Sequence, residues 1–102
     1  MNVVILAEFE IHPDDIESAI AGAINVVNAT QKDAGCFRYT FARDVVRPNV
    51  IRISEHWESV ETLRAHLTQP HVATFVQLLG KLRMLGSESK QFTISAIGEV
   101  GS

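Results

Sequence analysis

Apolar residues recur at alternate positions at the start of the chain and at every third or fourth position after that. Residues 2–11, NVVILAEFEI, are rich in β-branched side chains and predict a strand. Val3, Ile5, Ala7, Phe9 and Ile11 share one face of it, and Val4, Leu6, Glu8 and Glu10 the other. His12-Pro13-Asp14-Asp15 then predicts a helix start, because proline suits the first helical position and acids there complement the helix dipole. Ile16, Ile20, Ala23, Ile24 and Val27 supply its apolar stripe, and Gly35 is the expected stop. CFRYTFARD reads as a second strand with Phe37, Tyr39 and Phe41 on one face. VVRPN makes a turn, and VIRISEHW alternates again, placing Ile51, Ile53, Glu55 and Trp57 together. Ser59 is a natural cap for the next helix, whose stripe is Val60, Leu63 and Leu67. Pro70 interrupts that helix, and a second helical piece carries Val72, Phe75, Val76, Leu79 and Leu82. GSESK reads as a polar loop and QFTISAIGEV as the fourth strand.

The order β-α-β-β-α-β is the ferredoxin-like α+β pattern, with helices on one face of an antiparallel sheet. That arrangement leaves the other face open, yet the first strand is apolar on both. A chain of 102 residues is sized for a single domain, spanning 1–102, and has no third layer to offer. A second copy of the same sheet is the expected cover, so the sequence predicts a homodimer with two sheets back to back.

Composition narrows the partners. The formal net charge is -3, and Lys and Arg cluster on no element, so no nucleic-acid footprint is present. No apolar run reaches the roughly 20 residues a membrane span needs. The N-terminal apolar stretch lacks the basic flank of a signal peptide, and one cysteine fits a reducing compartment, so a cytoplasmic location with no membrane partner is expected.

The densest chemistry lies in residues 54–75, SEHWESVETLRAHLTQPHVATF, with three of the four histidines and the only tryptophan. Glu55 and His56 are neighbours on a strand and point to opposite faces. His66 and His71 lie five apart, an offset of about 140° in an unbroken helix, which is poor for shared ligation. No metal site is therefore expected. A metal-free pocket fits better: Glu55 and Trp57 face the helices, and His66 looks into the same space from the edge of its stripe. A glutamate among isoleucines is costly unless paired. Equally, Glu55 and His66 can satisfy each other and simply fix the strand–helix junction. Tyr39 stands out among the strand-two aromatics because its hydroxyl can reach a substrate oxygen. Arg38 and Arg52 are expected on the open face, paired with Glu8 or Glu10.

GCFRYTFARD followed by IRISEHWESVETLRAHLTQPHVATF resembles the antibiotic biosynthesis monooxygenase domain family, which includes quinol monooxygenases. The shared pattern is Gly35, Glu55-x-Trp57, Ser59, Leu63, His66 and Pro70-His71, and the likeness runs along essentially the whole chain, with a last strand ending near Gly98-Glu99-Val100. The resemblance implies a dimeric α+β barrel with a small-molecule pocket in each subunit. It implies oxygenation of a small aromatic or quinol by O2 as co-substrate, with no metal, flavin or haem. His66, Glu55 and Tyr39 would be catalytic, with Trp57, Phe37, Phe41, His71 and Phe75 shaping the pocket. A haem-degrading branch of the fold uses a first-strand asparagine and a second-helix histidine. Here those regions read AEFE and VATFVQLL, so haem is not expected. Other relatives with the Pro-His motif act on polar metabolites as isomerases, and a non-oxidative small-molecule protein is the alternative.

Overall fold

The alternation of VVILAEFEI makes it the central strand of the fold. In a computed structural model, which describes residues 1–101, the elements are β1 (Val3–Ile11), α1 (Ile16–Thr30), β2 (Cys36–Arg43), β3 (Val50–Trp57), α2 (Val60–Leu67), α3 (Pro70–Leu79) and β4 (Met84–Thr93). The sheet is antiparallel in the order β2-β3-β1-β4. β1 is paired on both edges, with Ile5 opposite Glu55 on β3 and Gln91 on β4. This is the ferredoxin-like α+β fold, with the second helix broken into α2 and α3.

Helices cover one face. α1 packs on α3 and β2, and α2 on β3. Gly22 permits the α1–α3 approach, because a Cβ there would collide with the Leu78 side chain. Two core clusters result. One gathers Val3, Ala23, Val26, Tyr39, Leu63 and Phe75 around Trp57; the other joins Ile11, Ile16, Ala19, Ile51 and Ile53. Each fully buried aliphatic or phenyl side chain stabilises the fold by about 1.5–3 kcal/mol. Arg83 closes the far end, donating from its backbone N–H, Nε and a terminal guanidinium nitrogen to the Asp15 carboxylate that precedes α1.

Four expectations change. The buried stripe of α1 is Ile16, Ala19, Ala23, Val26 and Thr30, rotated from the expected one so that Ile24 is 57% exposed. On α2 the buried pair is Leu63 and His66, while Leu67 faces out. A register shift between Cys36 and Arg38 moves Phe37 off the Tyr39/Phe41 face, and its ring instead meets His56 edge-on at 5.0 Å. The fourth strand begins at Met84, so GSESK belongs to it, and only Gln91–Thr93 of QFTISAIGEV is strand. β4 is exposed along its whole length. No helix among the described residues is long and apolar enough to cross a membrane.

Candidate functional site

The site is assembled where the α1–β2 turn meets the break between α2 and α3. After α1 ends, Asp33 N–H donates to the Thr30 carbonyl and Cys36 N–H to that of Asp33, forming a tight turn. Gly35 takes φ 75°, the left-handed conformation that side chains other than glycine resist. Its open side lies against Thr62, whose Cγ2 would be 2.6 Å from an added Cβ. Thr62 forms a reciprocal capping box with Ser59 that fixes the start of α2. One turn further along the same face, His66 meets Asp33.

His66 Nδ1 lies 2.7 Å from Asp33 Oδ2, and His71 Nε2 lies 3.0 Å from that same oxygen. The expectation that these two histidines point apart is overturned. Gln69 adopts an extended conformation (ψ 144°) ahead of Pro70, so α3 leaves in a new direction and the unbroken-helix offset no longer applies. His71 thereby turns inward onto the same carboxylate as His66. An oxygen accepting from both rings makes Nδ1 of His66 and Nε2 of His71 the N–H donors. Nε2 of His66 then carries the lone pair, and no protein group among the described residues is bonded to it.

Aromatic rings enclose His66, whose side chain is only 2% exposed. Trp57 lies 4.6 Å away centroid to centroid and Tyr39 5.0 Å. Tyr39 continues to Phe41 at 5.3 Å, and Phe41 to Phe75 at 5.6 Å. Trp57 Nε1 donates to Glu55 Oε1 at 2.9 Å, so the costly glutamate is paired with the indole and not with His66. Burial pushes the Glu55 carboxyl up, and the indole N–H partly offsets this. Burial likewise pulls His66 down against the opposing pull of Asp33, which favours the neutral ring. Burial, then the Glu55 charge, raises the Tyr39 phenol and keeps it a hydrogen-bond donor.

The structure thus brings together His66, Tyr39, Trp57, Phe41, Phe75 and His71, with Glu55 behind Trp57, and leaves Phe37 apart on the outer face. Asp33, which organises the cluster, was missed. It stands in QKDAG, a string that reads as a solvated turn, and its partners are 33 and 38 residues away. An apolar cleft of about 250 Å3 opens between α1 and the β2 edge, lined by Ala23, Ile24, Val27, Phe41, Arg43 and Ile51 among others. Phe41 is the point where this cleft meets the aromatic cluster.

Together these features define a ferredoxin-like α+β domain with a histidine–carboxylate cluster set into an aromatic core. The profile of the antibiotic biosynthesis monooxygenase family matches residues 2–78, and the chain belongs to that family. Among solved structures, a candidate antibiotic biosynthesis monooxygenase from Deinococcus radiodurans is 21% identical, with 97% of this chain and 99% of that one covered and a TM-score of 0.87. A Mycobacterium tuberculosis protein is 19% identical over 99% and 100% of the two chains, with a TM-score of 0.84. A Bacteroides thetaiotaomicron protein of unknown function, described as a possible oxidoreductase, is 24% identical over 89% and 95%, with a TM-score of 0.81. At such identities the likeness is one of fold. No curated protein matches the chain.

Proposed function

We propose that the protein is a cofactor-independent monooxygenase that oxidises a small electron-rich aromatic, of the hydroquinone or anthrone type, with O2. One observation carries the reading: a buried neutral imidazole, His66, is oriented by Asp33 and packed between Trp57 and Tyr39, with a free lone pair on Nε2. The Asp33 carboxylate holds the tautomer and stabilises the imidazolium that proton transfer creates. His66 Nε2 accepts the substrate proton, and the resulting anion gives one electron to O2. The radical pair joins as a peroxide anion, which takes the proton back from His66 and collapses as the hydroperoxide with loss of water; for an anthrone the balance is CH2 + O2 → C=O + H2O. Tyr39 donates to the developing substrate oxyanion. The α1–β2 cleft is the way in on this reading: it reaches the aromatic cluster at Phe41, whose ring lies against Tyr39, and Tyr39 lies against His66. The family membership and the names of the structural neighbours point the same way.

Two copies are proposed to pair through the outer sheet face, which exposes Leu6, Phe37 and Phe92.

The test is O2 uptake over a panel of hydroquinones and anthrones, using chelator-treated protein. His66→Ala should lower the rate by about 10²–10⁴-fold, the usual contribution of a general base. No uptake across the panel, or uptake unaffected by the substitution, would overturn the assignment. The convergence of His71 on Asp33 favours a second reading, proton transfer without oxidation, as in an isomerase of a polar metabolite. Turnover under strict exclusion of O2 would select it.

A further inference from the structure

Asp33, His66 and His71 are carried on three separate pieces of the fold: the α1–β2 turn, α2 and α3. Their convergence on one carboxylate oxygen, at 2.7 and 3.0 Å, therefore exists only in the folded chain. One ligand atom from each residue lies within 4.8 Å of the others. Around an ion held at about 2.0–2.2 Å, adjacent ligand atoms stand roughly 3–3.5 Å apart. The 2.7 and 3.0 Å contacts lie at or just inside that spacing, and all three ligand atoms fall within 4.8 Å of one another.

We propose that Asp33, His66 and His71 form a binding site for one divalent transition-metal ion of the zinc type. Two imidazole nitrogens and a carboxylate suit Zn2+ or Co2+, whereas Ca2+ and Mg2+ prefer oxygen shells. Ions and water have access from both sides. A cleft of about 200 Å3 is lined by Asp33, His66, Glu61 and Gln69, and another of about 290 Å3 by His71 and Asn25 among others. Three protein ligands leave a position for water, as in open zinc sites. The ion replaces the two N–H donors now shared by Asp33 Oδ2, so the carboxylate stays satisfied. Burial already favours the neutral His66 ring, the form that binds metal.

Coordination through the nitrogens that face Asp33 moves each ring's N–H to its far side. On His66 this places the proton on Nε2 and removes the lone pair that accepts the substrate proton. The ion and the base are mutually exclusive, so Zn2+ inhibits oxygenation; this consequence, unlike the binding itself, rests on the function proposed above.

Binding is tested without substrate. Chelator-treated native protein is titrated with Zn2+ by calorimetry and with Co2+ by visible absorption. The expected result is one ion per chain, undisturbed by excess Mg2+, with a Co2+ spectrum of a four- or five-coordinate site. Asp33→Asn and His71→Ala should each weaken binding at least 100-fold, and His12→Ala should not. Imidazole nitrogen NMR on the unmodified chain provides a readout independent of whether the variants fold: Zn2+ should shift His66 and His71 and leave His12 and His56 in place. Absence of saturable binding, unchanged affinity in both variants, or shifts at His12 or His56 instead would overturn the site and leave the oxygenase reading standing. Binding at these residues without loss of O2 uptake upholds the site and overturns His66 Nε2 as the base.

Discussion

At the scale of single residues, the informative pair is Glu55 and Trp57. Glu55 is pushed above the usual carboxylate range because burial penalises its charge more than the indole N–H compensates. A carboxyl whose pKa is raised on folding leaves the protein's stability intact below its ordinary value of about 4.5, and stability falls as pH climbs from there through the raised folded value. Glu55→Gln removes the charge and keeps an oxygen for Trp57 Nε1. It should therefore raise the melting temperature at pH 7 while changing it little at pH 4, measured by thermal unfolding at both values. An equal shift at the two pH values would show that charge burial is not the cause. These two residues, with His66, were legible in the sequence because strand alternation and helical spacing put them on inward faces. Asp33 was not, since its role arises from a turn whose partners come from distant helices. Phe37 misled for a local reason: one irregular residue in β2 reverses the face of everything before it.

At the scale of elements, the site depends on how the α1–β2 turn presses against the first turn of α2. Gly35→Ala should cost about 1–2 kcal/mol from the left-handed backbone alone. Its methyl group also meets Thr62, forcing α2 away and lengthening the His66–Asp33 bond. The expected outcome is lower stability together with a clear loss of the O2 uptake proposed above. Ser59→Ala makes the contrast: losing the cap costs about 1 kcal/mol and should leave uptake per folded molecule unchanged. If both variants lose activity only in proportion to unfolding, the turn does not position the dyad. Among the elements, β1, β3 and both pieces of the broken helix could be located from pattern because a core enforces it there, although Leu67 and Val76, read into the helical stripes, both face out. β4 could not be read. It pairs with the edge of β1 but lies under no helix, so neither of its faces is buried and MLGSESKQFT is free of any required alternation. The more β-like ISAI that follows finds no strand beyond Asn2 to pair with: Ile94 N–H bonds the Asn2 carbonyl and the ladder ends.

At the scale of the whole molecule, the outer face of the sheet divides in two. Around Glu8 it is ionic: Arg52 and Arg47 donate to the Glu8 carboxylate at 2.9 and 3.3 Å, and Arg52 Nε reaches Asp44 at 2.8 Å. Towards the start of β1 it is apolar, where Val4 lies between His56 and Phe92, and the Phe37 ring rests on His56. Leu6 lies between these halves, 48% exposed on the central strand. A two-fold axis near Leu6 would set apolar surface of each copy against the other, and a stable pairing needs about 600–1,000 Å2 from each. Leu6→Asp would bring two like charges together in that desolvated patch, a change expected to cost several kcal/mol of association. Sedimentation equilibrium at micromolar concentration should show the native chain at twice its monomer mass and the Leu6→Asp variant as a monomer. The variant's far-ultraviolet circular dichroism should be unchanged, because Leu6 packs on nothing beneath the helices. A native chain that sediments as a monomer would leave the outer apolar half without its proposed cover, and a variant that unfolds would mean that the helical layer cannot hold the sheet without the partner.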